Sequence, residues 1–304
     1  MRDLSPADIL AQGIRYLGVY RPGSLKGQIQ LFREHYGTSH VVLANIWRDL
    51  TETDIEDARL DEKDRNEKGF KMFMIAYYFY FLFTYPKNRG LIQSRFGICK
   101  KYCGGERLWY WVAKIATLKA KMIRWDPVLN DPNSEIFIIT IDGTDKRRWE
   151  PSTHPRYNVD RRQFSKKFAH AALKFEIGLS IFRNQIVWIS GPHRGGKSDI
   201  EIFRAGLKSM IAEGKLAIVD RGYQSSEVDE QMLSLPSHLD PKALFNFKSR
   251  ARLRHETLNG RIAAFKSMSD TFKHGNEKMK LAFEAVAVTV QYAMDNGEGN
   301  IFDV

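Results

Sequence analysis

The sequence predicts an α/β protein in two parts: an all-helical N-terminal region, then a mixed sheet flanked by helices. Three observations carry this. Over roughly the first 130 residues apolar side chains recur at helical spacing, whereas the next ~120 alternate strand-like with helix-like segments. A stretch rich in Asp, Asn and Pro, residues 126–134, separates the two patterns. Two short apolar runs, residues 135–141 and 216–219, each end at an aspartate, Asp142 and Asp220. Buried central strands end in this way where an α/β sheet places its site.

In chain order, residues 5–16 open on Ser5-Pro6, a helix start signal. Residues 24–35 predict a second helix, Gly37-Thr38 a turn, and residues 39–50 a third helix with Val41, Val42, Ile46 and Leu50 on its apolar side. Together these make a helix-turn-helix-like unit, a form that can bind DNA and is also ordinary packing. Residues 49–68 are strongly charged and predict a linker or an exposed helix. Residues 70–85 are apolar and aromatic-rich but include Lys71. At 16 residues the run falls short of the ~20 that a membrane span needs, so it predicts a buried helix stopped by Pro86. Residues 88–96, the Gly97-Ile98-Cys99 turn and residues 105–123 repeat the helix-turn-helix-like pattern.

In the second part, residues 135–141 predict a strand and residues 144–168 an irregular basic stretch. Residues 171–182 and 185–190 predict a hairpin through Arg183-Asn184. Residues 198–212 predict a helix, 216–219 a strand, 243–247 one more strand, 250–266 a helix carrying Glu256, and 280–294 a last apolar helix. The expected divisions are 1–130, 131–294 and a tail, 295–304.

Composition bounds the function. The chain has 304 residues, 43% hydrophobic and 27% charged, which excludes global disorder. Its net charge of +11 favours a polyanionic partner, nucleic acid or an acidic surface. Its two cysteines, Cys99 and Cys103, cannot build a disulfide framework or a four-cysteine zinc site. At a spacing that suits one helix face, they fit a reducing intracellular compartment. The N-terminus lacks a signal-peptide pattern, and no membrane association is expected.

Asp142 and Asp220 each follow a strand and are followed by Gly within two residues, Gly143 and Gly222. Such a glycine lets the backbone turn and leaves the carboxylate accessible. If the two strands are neighbours and the helix of Glu256 packs across them, three carboxylates converge. Like charges so placed raise each other's pKa unless a cation intervenes. Mg²⁺ or Mn²⁺ suits hard carboxylate oxygens, and a pair of such ions can activate an oxygen nucleophile at a phosphodiester. Taken singly, an Asp after a strand is often a turn residue or a helix cap.

These residues resemble those of the PIF/Harbinger-type DDE transposases and their bacterial relatives. The matching pieces are Ile141-Asp142-Gly143-Thr144, Gly191-Pro192 with Asp199 downstream, Val219-Asp220-Arg221-Gly222-Tyr223, and Arg252-Leu253-Arg254-His255-Glu256 followed by Gly260-Arg261-Ile262 and Phe265-Lys266. Asp220 and Glu256 stand 36 positions apart, in keeping with that family. Arg95-Phe96-Gly97-Ile98 is similar to its helical N-terminal region. The likeness spans roughly residues 70–290 and departs from the family where His255, rather than an apolar residue, precedes Glu256. It implies an RNase-H-like mixed sheet, with Asp142, Asp220 and Glu256 as metal-binding catalytic residues of a two-metal site. The implied activity is cleavage and joining of DNA at transposon terminal repeats and a target. It further implies a homo-oligomer on DNA, a separate DNA-binding accessory protein, and a nuclear location in a eukaryote or a cytoplasmic one otherwise. The same fold without activity, a domesticated DNA-binding protein, is the first alternative.

A second alternative comes from Gly191-Pro-His-Arg-Gly-Gly-Lys197-Ser198, which matches the phosphate-binding pattern G-x-x-x-x-G-K-[ST]. With Asp220 as the Mg²⁺ residue, it would make a P-loop NTPase. Against it, the preceding strand reads as half of an antiparallel hairpin, and Pro192 removes a backbone N–H from the loop.

Residues 143–170 hold eight Lys/Arg against three Asp/Glu. Lys146, Arg147, Arg148, Arg161, Arg162, Lys166 and Lys167 follow the first aspartate. Arg250, Arg252 and Arg254, with Lys248 before them, precede Glu256. With Arg194, Lys197 and Arg221 they are the candidate DNA-phosphate contacts. Trp149, Tyr157 and Tyr223 could stack on unpaired bases.

Overall fold

The computed structural model describes residues 4–18, 22–80, 89–99, 105–149, 161–165, 167–224 and 231–298. They divide into two compact units.

The first unit is helical: α1 (Pro6–Leu17), α2 (Leu25–Tyr36), α3 (His40–Glu52), α4 (Glu67–Ile75), α5 (Arg89–Phe96), α6 (Glu106–Thr117) and α7 (Lys119–Met122). Capping chemistry fixes the ends. Ser5 caps α1 in a reciprocal box with Asp8, Ser24 and Ser39 cap α2 and α3, and Gly18 and Gly37 close α1 and α2 in the left-handed conformation. The α2–Gly37–α3 hairpin is as expected, but α3 buries Val42, Leu43, Ala44, Ile46, Trp47, Leu50 and Thr51. The expected buried helix over 70–85 begins as α4 and continues as a π-helical turn, Ala76–Tyr80; residues 81–88 lie outside the described ones. Cys99 lies beyond the end of α5 and is exposed, so it is not on a helix face.

Between these units the expected boundary shifts. The first unit ends at Met122 and takes back residues 262–270 and 277–298, hence α10 (Lys266–Ser269) and most of α11 (Asn276–Asp295). The α11 sequence is apolar nearly all round. Its Thr289 bonds Tyr77 at 3.0 Å, and Glu284 pairs with Lys119 at 2.7 Å. A helix apolar on every side needs a full surround, which the helical unit supplies. Among the described residues, no helix is long and apolar enough to cross a membrane.

The second unit is a mixed six-stranded sheet: β1 (Phe137–Arg147), β2 (Phe164–Ser165), β3 (His170–Ser180), β4 (Ile186–Arg194), β5 (Leu216–Ile218) and β6 (Leu233–Ser234). β1 pairs antiparallel with β3 and parallel with β5, β3 pairs with both β2 and β4, and β5 with β6. The β3–β4 hairpin is the expected one. α8 (Asp199–Ala205) covers one face through Phe203 and the partly buried Ile200, against a core that includes Ile139, Ile141, Val187, Val219 and Tyr223. α9 (Lys242–Ala264) reaches Ile218 and Ile181 through Ala251, flanked by Phe247. Each fully buried apolar side chain of this kind contributes about 1.5–3 kcal/mol.

The strand expected over 243–247 is instead the first turns of α9. Lys248 and Ala251 are the buried positions over 242–251 and Phe247 packs beside Ala251, and the spacing of 247, 248 and 251 is helical. β6, two residues long, has no sequence pattern.

Candidate functional site

β1 does not stop at Asp142, as expected, but runs on to Arg147. Alternation along the strand separates the side chains at this point. Asp142 turns toward α9, where Asn259 Nδ2 donates to its Oδ2 at 2.8 Å. Gly143 turns toward α8, where a Cβ would lie 2.6 Å from Asp199 Oδ1. Gly143 therefore admits a neighbouring carboxylate and does not make a turn. Gly222 acts in the same way: a Cβ there would lie 2.5 Å from Asp199 Oδ2 and 3.0 Å from Asp220 Oδ1.

Asp220 follows β5 and caps the turn Arg221–Tyr223, its Oδ1 accepting from Gly222 N–H at 2.8 Å. Since β1 and β5 are parallel, with Thr140 opposite Ile218, both aspartates sit two residues beyond that pair. α9 adds Arg252, His255, Glu256 and Asn259, an i, i+3, i+4, i+7 stripe. The three carboxylates singled out from sequence, Asp142, Asp220 and Glu256, thus line one cleft of about 1120 Å³, together with Asp145 and Asp199.

Burial raises the Asp142 carboxyl above the usual carboxylate range; His255 opposes the rise, Asp220 and Asp199 add to it, and the Asn259 bond offsets part of it. His255 is 3% exposed and lies against the Thr140 backbone. Its burial lowers its own pKa, with Asp142 pulling the other way. Lys174 Nζ pairs with Asp199 Oδ1 at 2.8 Å.

The donors are carboxylate oxygens, which fit a hard divalent ion, and their mutual repulsion is what such an ion relieves. In this arrangement Asp142, Asp145, Asp199 and Asp220 are held by Asn259, Ser165, Lys174 and the Gly222 N–H. Among the described residues no three His, Cys, Asp or Glu are grouped closely enough to hold one ion.

The candidate phosphate contacts divide. Lys167, Lys197 and Arg252 line the cleft. Arg162, Arg194, Arg221 and Arg250 are exposed, Arg147 is exposed over the Phe168 ring, and Arg148 donates to Gln163 at 2.9 Å. Arg161 opens the turn Arg161–Gln163, and Lys166 and Tyr157 lie outside the described residues. Two of these contacts are corrected. Lys146 is 5% exposed because alternation along β1 turns it inward, and burial, reinforced by Lys167, pushes its ammonium down to about 8. Arg254 is 6% exposed and donates to the carbonyls of Ser180, Ile181 and Arg183. Neither presents its charge to a DNA backbone. Tyr223 is 1% exposed and is not free to stack on a base, whereas Trp149 is exposed.

The P-loop match is not a phosphate cradle. Gly191 to Arg194 belong to β4. The N–H groups of Gly195, Gly196 and Lys197 are spent on the carbonyls of Ala172, Arg162 and Arg194, and that of Ser198 on Glu201. A phosphate cradle needs such groups free.

Sequence reasoning passed over Lys174, Asn259 and Glu176, and gave Asp199 and His255 no role. The α9 stripe was a legible signal; the others depend on strand pairing. Glu176 lies opposite Gly143 and is fully buried. It accepts from Trp188 Nε1 at 3.0 Å and Tyr223 OH at 3.5 Å. Burial, the largest influence, lifts its pKa from 4.5 to about 7. Between those values the folded chain holds a proton that the unfolded chain has lost, so stability falls as pH rises through the window. Glu176→Gln keeps an acceptor for Trp188 and removes the titration. Urea unfolding at pH 4.5 and 7.5 should show the wild type losing on the order of 3 kcal/mol more than the variant across this interval. Parallel profiles would refute the assignment.

Searches against family models, curated proteins and solved structures find no match to this chain.

Proposed function

We propose that the cleft binds DNA and, with Mg²⁺ or Mn²⁺, cuts and rejoins phosphodiester bonds as a transposase of the PIF/Harbinger DDE type, on an RNase-H-like core. The observation that carries this reading is the meeting of Asp142, Asp220 and Glu256, which are far apart in sequence, in one cleft that also bears Lys167, Lys197 and Arg252. When bound, divalent ions would make an oxygen nucleophile more acidic and stabilise the leaving oxygen. Asp142, Asp220 and Glu256 are the residues that would hold them.

The chain's own groups do the remaining work. Asn259 fixes one oxygen of Asp142 and leaves the other for the cleft. The Gly222 N–H sets the rotamer of Asp220. Lys167, Lys197 and Arg252 neutralise phosphates flanking the cut. Transposon ends, target DNA, a second copy of the chain and a DNA-binding accessory protein belong to the same proposal.

The deciding experiment is metal-dependent DNA cleavage by the wild type and Asp220→Asn. DNA bound tightly but left uncut by the wild type in either metal would favour a domesticated binding protein. Independently, Arg252→Ala and Lys197→Ala should each weaken DNA binding and reduce the slope of log affinity against log salt by about 1. Slopes equal to wild type would remove these two side chains from the DNA path.

A further inference from the structure

We propose that the helical unit carries its own contact for a DNA phosphodiester backbone, a basic hollow formed by the start of α4, the Gly97 turn after α5 and the first turn of α6. This rests on the DNA-binding part of the reading above and is independent of its metal chemistry.

The hollow is built by local geometry. The chain leaves α5 through Gly97, whose φ of 60° is left-handed, so that Gly97, Ile98 and Cys99 form one wall. Opposite them, Asn66 caps α4 by accepting from the Gly69 N–H at 3.0 Å and so fixes the turn that carries Lys68 and Lys71. Three residues apart, these two lysines share a helix face. Arg107, in the first turn of α6, completes a cavity of about 580 Å³.

Its charge is positive. Lys68, Lys71 and Arg107 line it against a single carboxylate, Glu67, which is bonded to Arg15 at 3.0 Å. Among the described residues no carboxylate pairs with Lys68 or Lys71. Lys71 instead sets its ammonium over the Tyr16 ring, 5.4 Å from the centroid. A ring face holds a cation in place without neutralising it. Lys100 and Lys101, which follow Cys99 in the sequence, lie outside the described residues. Lys68 and Arg107 are exposed, so the cations suit a polyanion lying across the surface more than one small anion enclosed by the fold. Lysines and arginines so placed neutralise successive phosphates irrespective of base sequence.

Cys99 is exposed in this wall and reports occupancy directly. The full-length protein with Cys103→Ser, which removes the other cysteine, is treated with N-ethylmaleimide in EDTA, with and without duplex DNA. At about ten times the Kd roughly one tenth of the protein is free, so alkylation of Cys99 should slow about tenfold. An unchanged rate at that occupancy, established by gel shift in the same buffer, overturns the inference. Protection by inorganic phosphate and none by DNA overturns it too, and makes the hollow a small-anion site.

The second arm is the salt dependence of binding, with thermal melts confirming that each variant folds. Lys68→Gln with Lys71→Gln should reduce the slope of log affinity against log salt by about 2. Lys26→Gln, exposed on α2 of the same unit, should leave it unchanged. Equal losses per lysine from Lys26→Gln would show an effect of net charge and refute the site. If Arg252→Ala lowers the slope while the Lys68 and Lys71 variants and the Cys99 rate stay at wild type, the inference fails and the DNA reading of the cleft stands. If the wild type binds no DNA, both fall.

Discussion

Asp220→Asn should lower the proposed Mg²⁺-supported DNA cleavage by about 10³-fold or more, the scale of several kcal/mol of charge stabilisation that losing a metal ligand would remove. It should do so without unfolding the protein. The amide oxygen of Asn still accepts the Gly222 N–H that Asp220 Oδ1 accepts at 2.8 Å, so the turn Arg221–Tyr223 keeps its cap. Tyr223 remains buried on Glu176. Melting temperature is therefore expected to stay within a few degrees of wild type, roughly the range of a surface substitution. Asp142→Asn should behave alike, because its oxygen can still accept from Asn259. The measurement is a time course on end-labelled DNA carrying the proposed terminal repeats, in Mg²⁺ and in Mn²⁺, beside a thermal melt. Undiminished cleavage by a folded Asp220→Asn would sink the metal role.

Arg254→Ala should cost on the order of 3–5 kcal/mol of stability and leave the salt dependence of DNA binding unchanged. Its guanidinium donates to the carbonyls of Ser180 at 3.0 Å, Arg183 at 3.2 Å and Ile181, binding α9 to the end of the β3–β4 hairpin. Burial pushes the group down to about 10, still charged at neutral pH. Each buried carbonyl left without a donor costs about 1–3 kcal/mol. For a unit of this size that is roughly a 10 °C fall in Tm. Lys is a poor substitute, having one compact ammonium where the fork reaches three acceptors. Arg250→Ala, exposed on the same helix, should change stability by about 0.5 kcal/mol or less. Equal melting of the two variants, or a reduced salt slope for Arg254→Ala, would restore Arg254 to the DNA surface.

Much of the site was legible in the chain, for local reasons. An apolar run ending at Asp220, then Gly222 and a turn, marks a strand end whatever surrounds it. The hairpin through Arg183-Asn184 and the Ser caps of α1, α2 and α3 are equally local. What misled was local as well. The run 243–247 has strand-like composition, but the packing of Phe247 and Ala251 against Ile218 and Ile181 is set by the sheet that α9 covers. Lys146 and Arg254 belong to basic stretches that suggest solvent and phosphate, and only strand alternation and the position of the hairpin turn show that both are buried.

The sequence by itself determined a helical region followed by a mixed sheet, singled out Asp142, Asp220 and Glu256 as candidates, and set the excess of positive charge. The tertiary structure decided that β1 and β5 are neighbours, that α9 brings Glu256, His255 and Asn259 to the same cleft, and that Asp199 and Lys174 stand among them. Propensity, capping and periodicity act over a few residues and can be read along the chain. Convergence depends on strand order and on which helix covers which face, and those follow from burial across the whole unit.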